Sequence, residues 1–374
     1  MTSNKLNQII MIVACVAMIF PYFQLMGDFR GIQPYVTIVL SLSFLTCLLI
    51  TLEKRPPYYI FIIPLAFIFV SLLLDNKLDI LFLRNFLSYL NFCFVFFIFS
   101  VYFQRYTFPK KLFYYSLLIW ILAAFLQLFF GEKIFSSLIV ASTTSSRGAT
   151  SFATEPSFFG LQLCMLLTIL YLNDNKFKTR SFLLLGFIGL LLSMSIISAY
   201  FYACTYLAAL IAKKQLRINY VIYATLGLAI ITLILIDQRF GNIIIGIYEQ
   251  GFIEFIKGDS SGSKRIFGAI TPFILSFNNL FLPLVDPIQS INDFNCTICR
   301  NDMKISSFLG NFIFHFGFLF IVIFIFIFLI QKNLRNVTVL FFLSLLLLVE
   351  IPVAHPLVPL LILSLFKKQD YKLS

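Results

Sequence analysis

Along this chain apolar residues come in long unbroken blocks, and polar residues are confined to the stretches between them. A helix that crosses a bilayer needs roughly 20 apolar residues in a row, fewer where neighbouring helices bury it. By that measure candidate spans fall at 7–27, 35–52, 58–74, 80–103, 112–130, 156–172, 182–196, 199–212, 218–236, 306–330, 336–351 and 354–366. A membrane β-barrel would show short alternating segments instead, so the pattern predicts an all-α, polytopic transmembrane protein of about 12 spans. The run 182–212 is continuous and divides best near 193–198, where Ser193, Ser195 and Ser198 interrupt it. The block 7–27 has no small-residue cleavage site and leads straight into further spans, so it reads as a retained helix rather than a signal peptide. No internal repeat, linker or soluble domain stands out, and 1–374 is expected to form a single integral membrane domain.

Composition agrees: 60% of the 374 residues are hydrophobic, 12% are charged, and the mean hydropathy is +0.96. That excludes an ordinary soluble domain. A net charge of +12 would suggest nucleic acid in a soluble chain, but here most Lys and Arg fall in short clusters between spans. This is the positive-inside pattern; it argues against a nucleic-acid partner and places both termini in the cytoplasm. The flanks 173–181 and 213–217 are both basic, so the chain must cross twice between them, which fixes the division of 182–212. Two outer segments are longer than a tight turn, about 131–155 and 237–305. The second holds an apolar stretch, 266–285, whose Pro272, Asn278, Asn279 and Pro283 suit a helix lying on or dipping into the outer interface rather than a span. Five cysteines, Cys15, Cys47, Cys93, Cys164 and Cys204, lie in apolar runs as small hydrophobes. Cys296 and Cys299 lie in a polar loop, spaced for a short-range disulfide; zinc suits them less, because no second pair of ligands stands nearby.

The most polar element at the mouth of an apolar block is RGATSFATEPSFFG, from Arg147 to Gly160. Proline lacks an N–H and suits the first position of a helix, so Pro156 predicts a helix start. Glu155 then takes the N-cap position at the positive end of the helix dipole, where it serves either as a plain cap or as a base. The Ser and Thr residues before it, among them Ser142, Thr143, Thr150 and Ser151, read as a loop able to cradle an anion or a sugar.

Ionisable groups in hydrocarbon are costly and mark function or pairing. Arg84, His315 and Glu350 lie inside predicted spans, and His355 lies at the turn between the last two. All four approach the outer side, where Arg147, Glu155, Lys264 and Arg265 are also expected, so one polar, externally open chamber is predicted. Each has a plainer reading. Arg84 snorkels to lipid head groups, His315 is a packed, hydrogen-bonded helix residue, and Glu350 pairs with His355 across the turn from Pro352 to Pro356. Arg147 forms a shaping salt bridge to Glu155, and Arg265 is a solvated loop charge. For Arg265 the alternative is phosphate binding, because Gly258-Asp-Ser-Ser-Gly-Ser-Lys264 precedes it.

No metal-ligand cluster, Walker loop or dinucleotide fingerprint is present, so no cofactor is expected. Guanidinium groups bind phosphate bidentately at any working pH, and a nearby carboxylate can deprotonate a sugar hydroxyl. Glycosyl transfer from a lipid pyrophosphate needs those parts and no ATP, since the pyrophosphate is already a good leaving group.

The Arg147…Glu155-Pro156-Ser157…Gly160 element, the number of spans and the two enlarged outer loops resemble bacterial O-antigen and capsule repeat-unit polymerases of the Wzy type. The resemblance implies a GT-C-like membrane glycosyltransferase fold with two enlarged periplasmic loops, in the bacterial inner membrane. It implies polymerisation of undecaprenyl-pyrophosphate-linked repeat units, metal-independent, with a lipid-linked donor and acceptor, membrane lipids and a chain-length regulator protein as partners. Glu155, Arg147 and Arg265 would then be catalytic, and Arg84, Ser157, Lys264 and His315 would bind substrate. For the second-loop arginine, Arg239 and Arg300 stand as alternatives to Arg265. An O-antigen ligase shares the fold. A lipid-linked oligosaccharide flippase would want basic residues through the full membrane depth, and a membrane acyltransferase would want cytoplasm-accessible His and Arg.

Overall fold

The computed structural model describes residues 3–25, 32–50, 58–74, 80–139, 148–215, 270–284, 307–330, 333–348 and 351–366, together with Asn219 and Tyr248. Among these residues every regular element is helical. The helices are α1 (Ser3–Ile19), α2 (Pro34–Ile50), α3 (Ile62–Leu74), α4 (Ile80–Arg105), α5 (Lys110–Phe130), α6 (Pro156–Asn173), α7 (Thr179–Ser193) and α8 (Ile196–Ala212). A helical segment at 270–278 is followed by α9 (Phe308–Phe316), α10 (Phe318–Ile330), α11 (Leu334–Leu347) and α12 (Leu357–Phe366). Three helical stretches, Phe82–Tyr102, Lys110–Phe130 and Pro156–Asn173, are long and apolar enough to cross a membrane, and shorter apolar helices accompany them. Large apolar side chains stand outward, among them Leu42, Phe69, Leu122, Phe129 and Phe326. Such surfaces belong to a chain solvated by lipid.

The chain divides into two compact units. The first holds residues up to Phe61, Leu90–Ala224 and the chain from Ala354 onward. Its centre is α6, in which every residue from Pro156 to Leu172 except Phe158 is buried. A helix apolar all round belongs in the middle of a bundle, and α5, α7, α8 and α12 surround this one. Small residues let the backbones close up: a Cβ on Gly160 would overlap Ser198 of α8, one on Gly189 would meet Leu163, and one on Gly186 would meet Tyr202.

α6 and α8 run in the same direction. At their starts Ser198 Oγ donates to the Ser157 carbonyl at 3.5 Å. At their ends Lys213 Nζ donates to the Asp174 carbonyl at 3.5 Å and lies 4.2 Å from the Tyr171 ring centroid. α7 returns antiparallel between them through a turn at Met194 and Ser195. Met194 is left-handed at φ 44, and Ser195 caps α8 by accepting from the Ser198 N–H. The division expected from the basic flanks falls at this turn. α12 joins the end of α6 where Asn173 Nδ2 donates to Ser364 Oγ at 2.8 Å.

The second unit holds Ile62–Tyr89 and Thr225–Val353. In it the sequence expectation of one span over 306–330 is corrected: the helix breaks at Gly317, φ +55, into α9 and α10. Backbone closes on that glycine from outside, since a Cβ there would strike the Phe281 carbonyl and the Phe318 N–H donates to the same oxygen at 2.7 Å. The stretch expected to lie on or dip into the interface forms the helical segment 270–278 and a turn. It runs alongside α9 in the same direction, with Pro272 at Gly310, Ser276 Oγ donating to the Ile313 carbonyl at 3.5 Å and the Leu284 N–H donating to the Phe314 carbonyl at 2.8 Å. α1 also stops earlier than expected, at Ile19, because Pro21 disfavours helical backbone at Phe20.

Two predictions follow from this packing. Gly160→Ala wedges α6 off α8 and lowers stability by about 1–3 kcal/mol, seen as a lower unfolding temperature of the purified protein in detergent. Lys213, 5% exposed, has its pKa lowered from 10.5 to about 8 by burial, partly opposed by Asp174. Between those values the unfolded chain carries one proton more than the folded one, so stability rises with pH across the window and is lost as pH falls through about 8. Comparison of unfolding in wild type and Lys213→Met across that range isolates the contribution.

Candidate functional site

The loop leading into α6 is held from two sides. Gly148 has φ +85, and a Cβ on it would sit 2.7 Å from the Ser193 carbonyl, so only glycine fits. The next N–H, that of Ala149, donates to the Leu192 carbonyl at 2.8 Å, which ties the loop to the end of α7. α5 ties it from the other side. The Ser151 N–H donates to Gln127 Oε1 at 2.6 Å, Gln127 Nε2 donates to Thr150 Oγ1 at 2.9 Å, and Ser151 Oγ donates to the Trp120 carbonyl at 2.7 Å. Around these bonds Trp120 packs on Phe20, Phe152 and Phe159. Thr150 and Ser151 are buried and their polar atoms serve this anchoring. The expectation that they cradle a ligand is therefore corrected; Ser142 and Thr143 lie outside the described residues.

Pro156 opens α6 and Glu155 occupies the N-cap position with extended backbone, φ −144 and ψ 154. Its side chain accepts nothing from the first-turn N–H groups, so Glu155 caps by position and not by side chain. The carboxylate instead takes a 3.4 Å hydrogen bond from Ser157 Oγ through Oε2, and the residue is half-buried. Because α6 and α8 start together, the positive ends of two helix dipoles lie side by side, and Glu155 stands at that of α6. The arrangement suits a negatively charged group, whether the carboxylate itself or a ligand anion.

Of the other candidates, Arg84 is exposed on α4, in the second unit. His315, also in the second unit, is 2% exposed in the last turn of α9, where its Nδ1 lies 2.7 Å from the Tyr89 hydroxyl. His355 is fully buried in the first unit; its Nδ1 accepts from the Leu357 N–H at 3.4 Å, and its ring meets Tyr22, which in turn meets Phe158 of α6. Arg147, Lys264, Arg265, Arg239, Arg300, Glu350, Cys296 and Cys299 lie outside the described residues, and with them the expected single chamber and the expected pairing of Glu350 with His355. The structure thus brings together Glu155 and Ser157. Sequence reasoning missed Gln127, Trp120 and Tyr89; the one signal for Gln127 was a lone amide in an apolar block. Among the described residues no three His, Cys, Asp or Glu side chains gather to hold a metal ion. No protein-family model, curated protein or solved structure matches this chain.

Gln127→Leu strands the buried Ser151 N–H and removes the bond to Thr150. A stability loss of about 1–3 kcal/mol is expected, measured by thermal unfolding, with faster proteolysis of the loop ahead of Pro156.

Proposed function

We propose that this chain is a membrane glycosyltransferase of the Wzy polymerase type, joining undecaprenyl-pyrophosphate-linked repeat units into O-antigen or capsular polysaccharide. The observation that carries the reading is Glu155: a carboxylate at the N-cap of α6, whose first turn meets that of the parallel α8, ahead of Pro156 and Ser157 and with its side chain not spent on capping. In this reading about 12 spans cross the bacterial inner membrane in a GT-C-like arrangement, with both termini cytoplasmic and the loops 131–155 and 237–305 in the periplasm. Glu155 takes the proton of the acceptor hydroxyl. The oxygen so activated attacks the anomeric carbon of the donor, the bond from that carbon to the pyrophosphate breaks, and undecaprenyl pyrophosphate leaves. Arg147 and Arg265 hold that pyrophosphate as charge develops on it, with Lys264 beside them. Ser157 orients the carboxylate, and no metal ion is assigned a step.

The test is complementation of a deletion strain. Glu155→Gln and Arg147→Ala each abolish long surface polysaccharide and leave single attached units on a gel. Full-length ladders from both variants refute the assignment. A deletion strain that loses all attached glycan instead of keeping one unit moves the chain to the ligases.

A further inference from the structure

A groove opens along α7 of the first unit, at the end of the bundle away from Glu155. It measures about 410 Å³ and is lined, among the described residues, by Arg180, Leu183, Leu184 and Phe187. Their spacing of three, four and seven positions from Arg180 sets all four on one face of the helix. At about 1.5 Å of rise per residue that face runs some 10 Å from Arg180 to Phe187. The hydrocarbon of one leaflet is about 15 Å deep, so the groove reaches well into it. Thr179 Oγ1 lies 3.1 Å from the Tyr171 hydroxyl and donates to Gln215 Oε1 at 3.1 Å, which fixes the start of α7 at the end of α6. Because α6 has 18 residues, about 27 Å separate the start of α7 from the Glu155 end of the bundle, and the polymerase reading makes no use of this groove.

Arg180 is exposed and makes no hydrogen bond or ion pair among the described residues. No acid stands in the first turn of α7. Asp174, the acid just before this helix, is already engaged by Lys110 at 3.4 Å and by the Lys176 N–H at 3.2 Å. A cation near the positive end of a helix is opposed by the dipole, so Arg180 does not serve the helix that carries it. Lys176 and Lys178, both exposed, add positive charge immediately ahead of it. Beyond Arg180 the lining turns apolar. Leu184 is 63% exposed, and Leu183 and Phe187 are half-buried.

We propose that this groove binds one anionic phospholipid, with its phosphate on Arg180 and an acyl chain along Leu183, Leu184 and Phe187. A guanidinium takes a phosphate group bidentately, and basic pockets at a membrane face gather anionic lipid. A free phosphate gains nothing from an apolar wall two turns long. An apolar helix laid over the groove, from this chain or from a second copy, would bury Arg180 as an unpaired charge, which is costly. A phospholipid alone meets both halves of the lining. The site stands on the geometry of α7 and not on the polymerase reading.

Leu184→Trp sets an indole in the groove, while the chain's one native tryptophan, Trp120, is fully buried in the bundle and supplies the baseline. The full-length variant is reconstituted in phosphatidylcholine vesicles holding rising fractions of phosphatidylglycerol with brominated acyl chains, which quench an indole they touch. Quenching is expected to exceed that of wild type and to saturate at fractions roughly fivefold lower than with brominated phosphatidylcholine, the effect of one basic side chain on an anionic lipid. Adding Arg180→Gln removes that difference. Lys111→Gln, which deletes an equal charge from the exposed start of α5, keeps it. Glycerol phosphate in the buffer leaves the quenching unchanged. Quenching no greater than in wild type means that protein covers the groove, whether a segment of this chain or a second copy, and overturns the proposal. Equal quenching by the two brominated lipids overturns the preference for an anionic one. A difference that survives Arg180→Gln, or that Lys111→Gln removes as well, overturns the role of Arg180. Relief by glycerol phosphate overturns the acyl-chain contact and leaves a phosphate site only.

Discussion

The approach of α6 to α8 at Gly160 sets the rest of the first unit. Within hydrocarbon there is no hydrophobic force between helices, and contact comes from small residues that let backbones meet. Gly160 leaves room for Ser198, and Ser198 reaches back to the Ser157 carbonyl. The two helices then start at one level and end at one level, and a two-residue turn is all α7 needs to rejoin α8. The same contact places the starts of two dipoles together, with Glu155 at the N-cap of α6. At the far ends, where the dipoles are negative, Lys213 lies against the Asp174 carbonyl and the Tyr171 ring, and its burial there depresses its pKa.

How much of this was legible in the sequence depended on whether the signal was local. Pro156 marks the start of α6 by its own chemistry, and the basic flanks of 182–212 forced a turn that the structure places at Met194 and Ser195. The break at Gly317 was not legible, because a glycine inside a uniformly apolar run carries no mark of its own. What breaks the helix is the Phe281 carbonyl arriving from another segment. Thr150 and Ser151 looked like open loop hydroxyls for a similar reason: their partner Gln127 lies on a different helix, and nothing in the loop announces it. The pairing of Tyr89 with His315 is more distant still. Composition reports that a polar group sits in hydrocarbon, and only the tertiary fold reports what satisfies it.

That distinction separates the candidate residues better than residue type does. In a medium without water a polar atom already bonded to protein holds the fold together, and one left open to a cavity can hold a ligand. Thr150, Ser151 and Gln127 belong to the first kind, as their mutual bonds and burial require. The two histidines look alike in sequence, each a lone imidazole near the outer end of a predicted span, and the fold gives each its own protein partner. His355 uses Nδ1 on the first turn of α12 and buries Nε2 against protein, so its role ends with packing. His315 has Nδ1 2.7 Å from the Tyr89 hydroxyl and is itself 2% exposed, so it too sits as a packed side chain.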